Sequence, residues 1–147
     1  MSAAQRLLLL VEDSAADVAL AQAALADAEQ PHTLLPFHDG QTALDYLNAK
    51  SNPLPDLILL DLNLPRMDGR EVLAEIKSSS VLRHIPVVIL TTSSEVRDRR
   101  DAYAAHANSF VTKPPDLQTY AQTMQEIVHY WFETVSLAGV EAASMSR

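Results

Sequence analysis

The sequence predicts an α/β fold built on a doubly wound, five-stranded parallel sheet, and three observations carry that expectation. Strand-like runs at residues 7–11, 33–37, 57–60, 86–90 and 109–112 are each followed by a segment with helical spacing, which reads as βα repeated five times. The runs at 7–11, 57–60 and 86–90 are almost continuously apolar, as strands covered by helices on both faces require. Right-handed crossovers between such parallel strands give an open, doubly wound sheet.

The elements follow in order. Leu7-Leu8-Leu9-Leu10-Val11 forms the first strand and runs into Glu12-Asp13. Ser14 is placed to cap the first helix with Asp17, three residues on, as its capping-box partner; Val18, Ala21, Leu25 and Ala28 share one face, and the helix ends near Pro31. After the second strand, a turn at Asp39-Gly40 leads to a helix with Ala43, Leu44 and Leu47 on one side, stopped before Asn52-Pro53. The third strand, Leu57-Ile58-Leu59-Leu60, closes on Asp61, and Asp68-Gly69 opens a helix whose inward residues are Val72, Leu73 and Ile76. Thr91 closes the fourth strand. The helix after it, from about 94 to 106, is mostly polar, with Val96, Tyr103 and Ala107 as a thin stripe; weak anchoring suits it to movement. Lys113, followed by Pro114-Pro115, closes the fifth strand. The last helix carries Tyr120, Met124, Ile127, Val128, Trp131 and Val135 at three- and four-residue spacing, its core-facing stripe. Extended to residue 135 it would span about 28 Å at 1.5 Å per residue, further than one small sheet covers. Its end is therefore expected to project, with Tyr130, Trp131 and Phe132 exposing the apolar surface of a homodimer.

A chain of 147 residues is expected to be one domain, here over 1–135, with a small, polar, flexible tail over 136–147 that includes Gly139. The absence of cysteine excludes disulfides and thiol catalysis. The early apolar run is too short for a signal peptide or a membrane span, which predicts a cytoplasmic protein. With 19 acids against 11 bases, a net charge of −8 disfavours nucleic-acid backbones and anionic membranes and points to a protein partner. The five histidines, at 32, 38, 84, 106 and 129, have no metal-ligand spacing.

In an open parallel sheet the carboxyl ends of the strands form the ligand crevice, so Glu12, Asp13 and Asp61 are expected to converge there, joined by Thr91 and Lys113. An acid after an apolar run is ordinarily just the solvated end of a strand; the joint placement of these five is what favours a site. Converging carboxylates without thiol or imidazole ligands favour Mg²⁺, which takes one or two carboxylates and leaves room for water and phosphate. Asp61, the central acid, is the candidate nucleophile toward a phosphoryl group, giving an acyl phosphate. Glu12 and Asp13 would hold the metal directly or through water, the Thr91 hydroxyl would bond one phosphoryl oxygen, and the Lys113 ammonium would pair with another.

These residues stand in four motifs: Val11-Glu12-Asp13-Ser14, Leu59-Leu60-Asp61-Leu62-Asn63-Leu64-Pro65-Arg66-Met67-Asp68-Gly69, Leu90-Thr91-Thr92-Ser93, and Phe110-Val111-Thr112-Lys113-Pro114. In order and spacing the chain, from about residue 6 to 135, resembles the receiver domain of two-component response regulators. The resemblance implies a flavodoxin-like sheet of strand order 2-1-3-4-5, and phosphoryl transfer from a phosphohistidine of a sensor histidine kinase to Asp61. It also implies Mg²⁺ held by Asp13, Asp61 and the backbone carbonyl of Asn63, and a switch in which Thr91 moves inward and the aromatic Phe110 changes position. Thr92 stands where a smaller residue is common, Pro115 doubles the usual single proline, and Phe110 lacks the hydroxyl of some members. Residues 68–77 and 85–93 look like the small single-domain regulators that partner phytochrome-type photoreceptor kinases. Output is then expected through protein contacts, phosphorelay or draining of phosphate from a kinase, and the chain is expected to catalyse only its own phosphorylation and dephosphorylation.

Two other classes fit the residues less well. An aspartate-nucleophile phosphatase similar to the haloacid dehalogenase family needs a second acid two residues after the nucleophile, where this chain has Asn63. A flavodoxin-like electron carrier has a phosphate loop rich in hydroxyls and glycine after the first strand, where Glu12-Asp13 would repel phosphate.

Overall fold

The computed structural model describes residues 5–137. Five strands, β1 (Arg6–Val11), β2 (His32–Phe37), β3 (Leu57–Leu60), β4 (Val87–Thr91) and β5 (Ser109–Thr112), alternate with five helices, α1 (Ala15–Ala26), α2 (Gly40–Asn48), α3 (Gly69–Ser78), α4 (Val96–Ala104) and α5 (Leu117–His129). The strands pair in parallel in the order β2-β1-β3-β4-β5, the flavodoxin-like arrangement. Strand order reverses at β1, so the crevice beyond the ends of β1 and β3 is the natural ligand position.

The near-continuous apolar runs supply both faces of the sheet, because successive side chains alternate sides. Leu9, Val11, Ile58, Leu60, Val87 and Ile89 meet Leu44, Leu47, Val72, Leu73, Ile76 and Ala102, placing α2, α3 and α4 on one face. Leu8, Leu10, Leu57, Leu59, Val88 and Leu90 meet Val18, Ala21, Leu25, Tyr120, Met124 and Val128, placing α1 and α5 on the other. Each fully buried leucine or isoleucine contributes about 1.5–3 kcal/mol, and β3 buries all four of its residues completely.

Four helices start on side-chain caps: Ser14, Asp39, Asp68 and Asp116 each accept a backbone N–H from the first turn. The capping box expected at α1 forms by half. Ser14 Oγ accepts the Asp17 N–H at 3.2 Å, but the Ser14 N–H goes to Glu12 Oε2 at 3.2 Å and the Asp17 carboxylate turns to Lys113. Helix α4 begins at Glu95 without a side-chain cap bond and is shorter than expected. Its inward residue is Ala102; Val96 and Tyr103 lie on the solvent side, 55% and 48% exposed, and Ala107 is buried just beyond the helix. The Tyr103 hydroxyl instead reaches β5 and accepts the Phe110 N–H at 3.1 Å.

The last helix continues as a π-helical turn over Tyr130–Thr134, closed by a Val135 N–H donating to the Tyr130 carbonyl at 2.9 Å. Phe132 follows Val128 by four residues and packs into the α1–α5 face, so it is not part of an exposed surface as expected. Tyr130 is exposed, Trp131 is half-buried, and their rings meet edge-on with centroids 5.3 Å apart. Within the expected tail, Leu137 packs against the same core, and residues 138–147 lie outside the described residues. Among the described residues no helix is long and apolar enough to cross a membrane.

Candidate functional site

The register of β1 and β3 brings the acids together. Val11 pairs with Leu60, so the residues that follow, Glu12-Asp13 and Asp61, leave adjacent strand ends. The Asp61 N–H donates to the Val11 carbonyl at 3.1 Å and the Glu12 N–H to the Phe37 carbonyl at 2.9 Å, which fixes both backbones. One carboxylate oxygen from each of Glu12, Asp13 and Asp61 lies within 4.8 Å of the other two. Glu12 and Asp61 are buried while Asp13 is exposed, so the cluster opens to solvent on the Asp13 side.

Gly69 holds α3 against this point. A Cβ there would lie 2.1 Å from the Asp61 carbonyl oxygen and 2.7 Å from the Leu62 Cα, both backbone atoms that cannot step aside, and the Gly69 N–H donates to the Leu62 carbonyl at 2.9 Å. The glycine in Asp68-Gly69 thus serves close approach of backbone to backbone. Arg66, with φ of 64°, turns the loop between β3 and α3 through the left-handed region.

Lys113 enters from the end of β5, its N–H donating to the Thr91 carbonyl at 2.6 Å. Its ammonium bonds Glu12, Asp17 Oδ2 at 2.8 Å and Asp61 Oδ2 at 3.4 Å. Burial pushes the Glu12 carboxyl up to about 7; the Lys113 hydrogen bond opposes that and the Asp61 charge adds to it. Burial alone would lower Lys113, but its hydrogen bonds to Asp17 and Glu12, with the charges of Asp61 and Glu12, hold it above the ordinary lysine value.

Thr91 ends β4 fully buried, and its Oγ1 accepts the Ser93 N–H at 3.4 Å. From Ser93 a polar chain runs outward: Ser93 Oγ donates to Asp98 Oδ2 at 2.6 Å, Arg70 Nη2 donates to Asp98 Oδ1 at 2.8 Å, and Arg70 Nη1 donates to Asp68 Oδ1 at 3.1 Å. The Thr112 hydroxyl donates to the Ser93 carbonyl at 3.0 Å. The loop after β4 is therefore tied to α3, α4 and β5 at once. The Asn63 side chain is exposed, and its N–H donates to Asp61 Oδ1 at 3.2 Å. Phe110 is half-buried against the α2–α4 core.

Of the predicted residues, Glu12, Asp13, Asp61 and Lys113 form one contact group, with the Asn63 backbone on Asp61 and Thr91 at the same sheet edge. Sequence reasoning placed Asp17 in a cap and missed its bond to Lys113, 96 residues away; the signal available was an acid one helical turn beyond Asp13. The donor set is all hard oxygen, partly solvent-facing, which fits a divalent cation such as Mg²⁺. A buried carboxylate bonded to an ammonium and within such a cluster, with the threonine that ends the neighbouring strand, suits in-line phosphoryl transfer.

Comparison with known proteins agrees with this chemistry. The family model described as "Response regulator receiver domain" matches residues 8–125. The response regulator Rcp1 of Synechocystis is 45% identical over 136 residues, 90% of this chain and 92% of its own. The phosphorylated cyanobacterial phytochrome response regulator RcpA superposes with a TM-score of 0.88 at 44% identity, covering 92% of this chain and 100% of that structure. The Mn²⁺-bound form of Rcp1 superposes with a TM-score of 0.86 at 44% identity, covering 91% and 99%.

Proposed function

This chain belongs to the response regulator receiver family, and we propose that Asp61 is its phosphoryl acceptor, loaded by a sensor histidine kinase of the phytochrome type. The observation that carries the reading is the contact of the buried Asp61 carboxylate with Lys113 beside Glu12 and Asp13.

An Asp61 carboxylate oxygen attacks the phosphorus of a phosphohistidine; the new P–O bond forms as the P–N bond breaks, and the imidazole nitrogen leaves with the electron pair. The Lys113 ammonium and the Thr91 hydroxyl bond phosphoryl oxygens as charge moves onto them. Mg²⁺, held by Asp13, Asp61 and the Asn63 carbonyl with Glu12 acting through water, would neutralise charge on the transferring group. The product adds a charge of roughly −2. Two or three charge-assisted bonds at about 1.5–3 kcal/mol each draw Thr91 inward, comparable with the roughly 5.5 kcal/mol that takes a two-state equilibrium from 1:99 to 99:1. Thr91 leaves the Ser93 N–H, Phe110 takes up the vacated space, and α4 shifts with Asp98. The catalysis is confined to the chain's own phosphorylation and dephosphorylation, within a receiver domain assigned to residues 1–135, against whose core Leu137 also packs.

Signalling then runs through protein contacts or relay, in a cytoplasmic protein that pairs with itself. The described surface that suits pairing is Tyr130 and Trp131 at the end of α5. Light scattering at tens of micromolar is expected to give twice the chain mass; a monomer mass would refute pairing.

The reading is tested by incubating the chain with an autophosphorylated phytochrome-type kinase. Label is expected to pass to the wild type and not to Asp61→Asn. Transfer to both would move the acceptor elsewhere, and transfer to neither from a panel of such kinases would refute the pairing.

A further inference from the structure

An ammonium has three N–H donors, and the Lys113 ammonium meets three carboxylates: Glu12, Asp17 at 2.8 Å and Asp61 at 3.4 Å. The bond to the acceptor is the longest of the three. Glu12 and Asp61 leave strand ends and belong to the metal-fitting cluster; Asp17 comes from the first turn of α1 and lies outside it. The Asp17 side chain is 31% exposed against 3% for Glu12. A phosphoryl oxygen on Asp61 inherits only the long 3.4 Å share that Asp61 now holds, and a shorter bond to it draws the ammonium away from Glu12 or Asp17. Glu12 is enclosed and would be left buried if it lost its share, whereas Asp17 can turn to water.

We infer that Asp17 is a positioning residue that parks the Lys113 ammonium on α1 in the unphosphorylated chain and yields it when a phosphoryl group arrives at Asp61. The inference rests on the reading of Asp61 as acceptor. Asp17 touches neither phosphoryl group nor metal; it acts through Lys113, restraining phosphorylation by competing for its donor.

The test is phosphorylation by acetyl phosphate at saturating Mg²⁺, followed by intact-mass spectrometry over time. In this reaction an Asp61 oxygen bonds phosphorus as the bond from phosphorus to the acetate oxygen breaks, and acetate leaves with the electron pair. Asp17→Asn keeps the side-chain size and the N–H that Ser14 accepts, but loses the charge. It is expected to form the adduct about 3- to 10-fold faster than wild type, the size of redistributing one charge-assisted hydrogen bond. Asp17→Ala is expected to be faster as well, and Asp17→Glu, which restores a carboxylate, to stay within about twofold of wild type. A purely structural role for Asp17 would instead order the rates by melting temperature, with Asp17→Ala slowest. Asn and Ala variants that react at the wild-type rate or more slowly overturn the inference alone. A wild type that forms no adduct overturns the acceptor reading and the inference with it.

Discussion

Helices α3 and α4 follow the neighbouring strands β3 and β4, which lead into Asp61 and end on Thr91, yet they are anchored in opposite ways. Helix α3 buries Gly69, Val72, Leu73 and Ile76 and starts on the Asp68 cap. Helix α4 buries Ala102 alone among its residues, starts without a side-chain cap, and is held by Asp98, which accepts from Arg70 and Ser93. Apolar packing fixes the backbone that carries Asp61, whereas polar bonds that can exchange partners hold the element expected to respond. The contrast teaches that a receiver needs one rigid wall against which the acceptor is aimed and one loose wall that charge can move.

The largest effect should come from disturbing the rigid wall. Gly69→Ala drives a methyl group into the Asp61 and Leu62 backbone. It is expected to cost about 3 kcal/mol or more in urea-monitored stability and to slow adduct formation at Asp61. An alanine variant as stable as wild type would show that α3 is free to stand off.

A smaller effect lies in the charge at the wall's edge. In the fold the Glu12 carboxyl keeps its proton up to about 7, against 4.5 ordinarily, so between those pH values the folded chain holds more protons than the unfolded one. Stability in EDTA should therefore fall as pH rises from 4.5 to 7, by up to something on the order of 3 kcal/mol. Asp61→Asn removes a like charge and should raise the melting temperature at pH 7.5 in EDTA, by less at pH 5, and Mg²⁺ should raise that of wild type. Melting temperatures flat with pH would mean that burial does not hold the Glu12 proton, and no response to Asp61→Asn or Mg²⁺ would mean that the carboxylates do not repel.

The smallest effect on global stability is expected at the loose wall. Asp98→Asn weakens the bonds from Arg70 and Ser93. It should leave the global unfolding midpoint unchanged while α4 amides exchange several-fold faster, as hydrogen exchange would show. Equal loss of protection in α3 would abolish the contrast.

The fold was legible because five apolar runs and their helical partners agree with strand order, and Asp61, Asp13, Glu12 and Lys113 were legible because each closes a run. What escaped depended on geometry the chain does not write locally. Asp17 satisfies the spacing of a capping box, and only the fold shows Lys113 outcompeting the Ser14 N–H for it. In α4, adjacent Ala102 and Tyr103 differ by about 100° around the axis, and the methyl group rather than the ring turned inward. The π-helical turn keeps Phe132 in the core while Tyr130 stands out, a distinction invisible in three consecutive aromatics.

Intact-mass spectrometry of wild type and Asp61→Asn, incubated with acetyl phosphate in Mg²⁺ or in EDTA, decides whether Asp61 takes up the phosphoryl group. One phosphoryl adduct is expected on wild type, dependent on Mg²⁺ and absent from the variant. An adduct that persists in folded Asp61→Asn, or forms equally in EDTA, would contradict it.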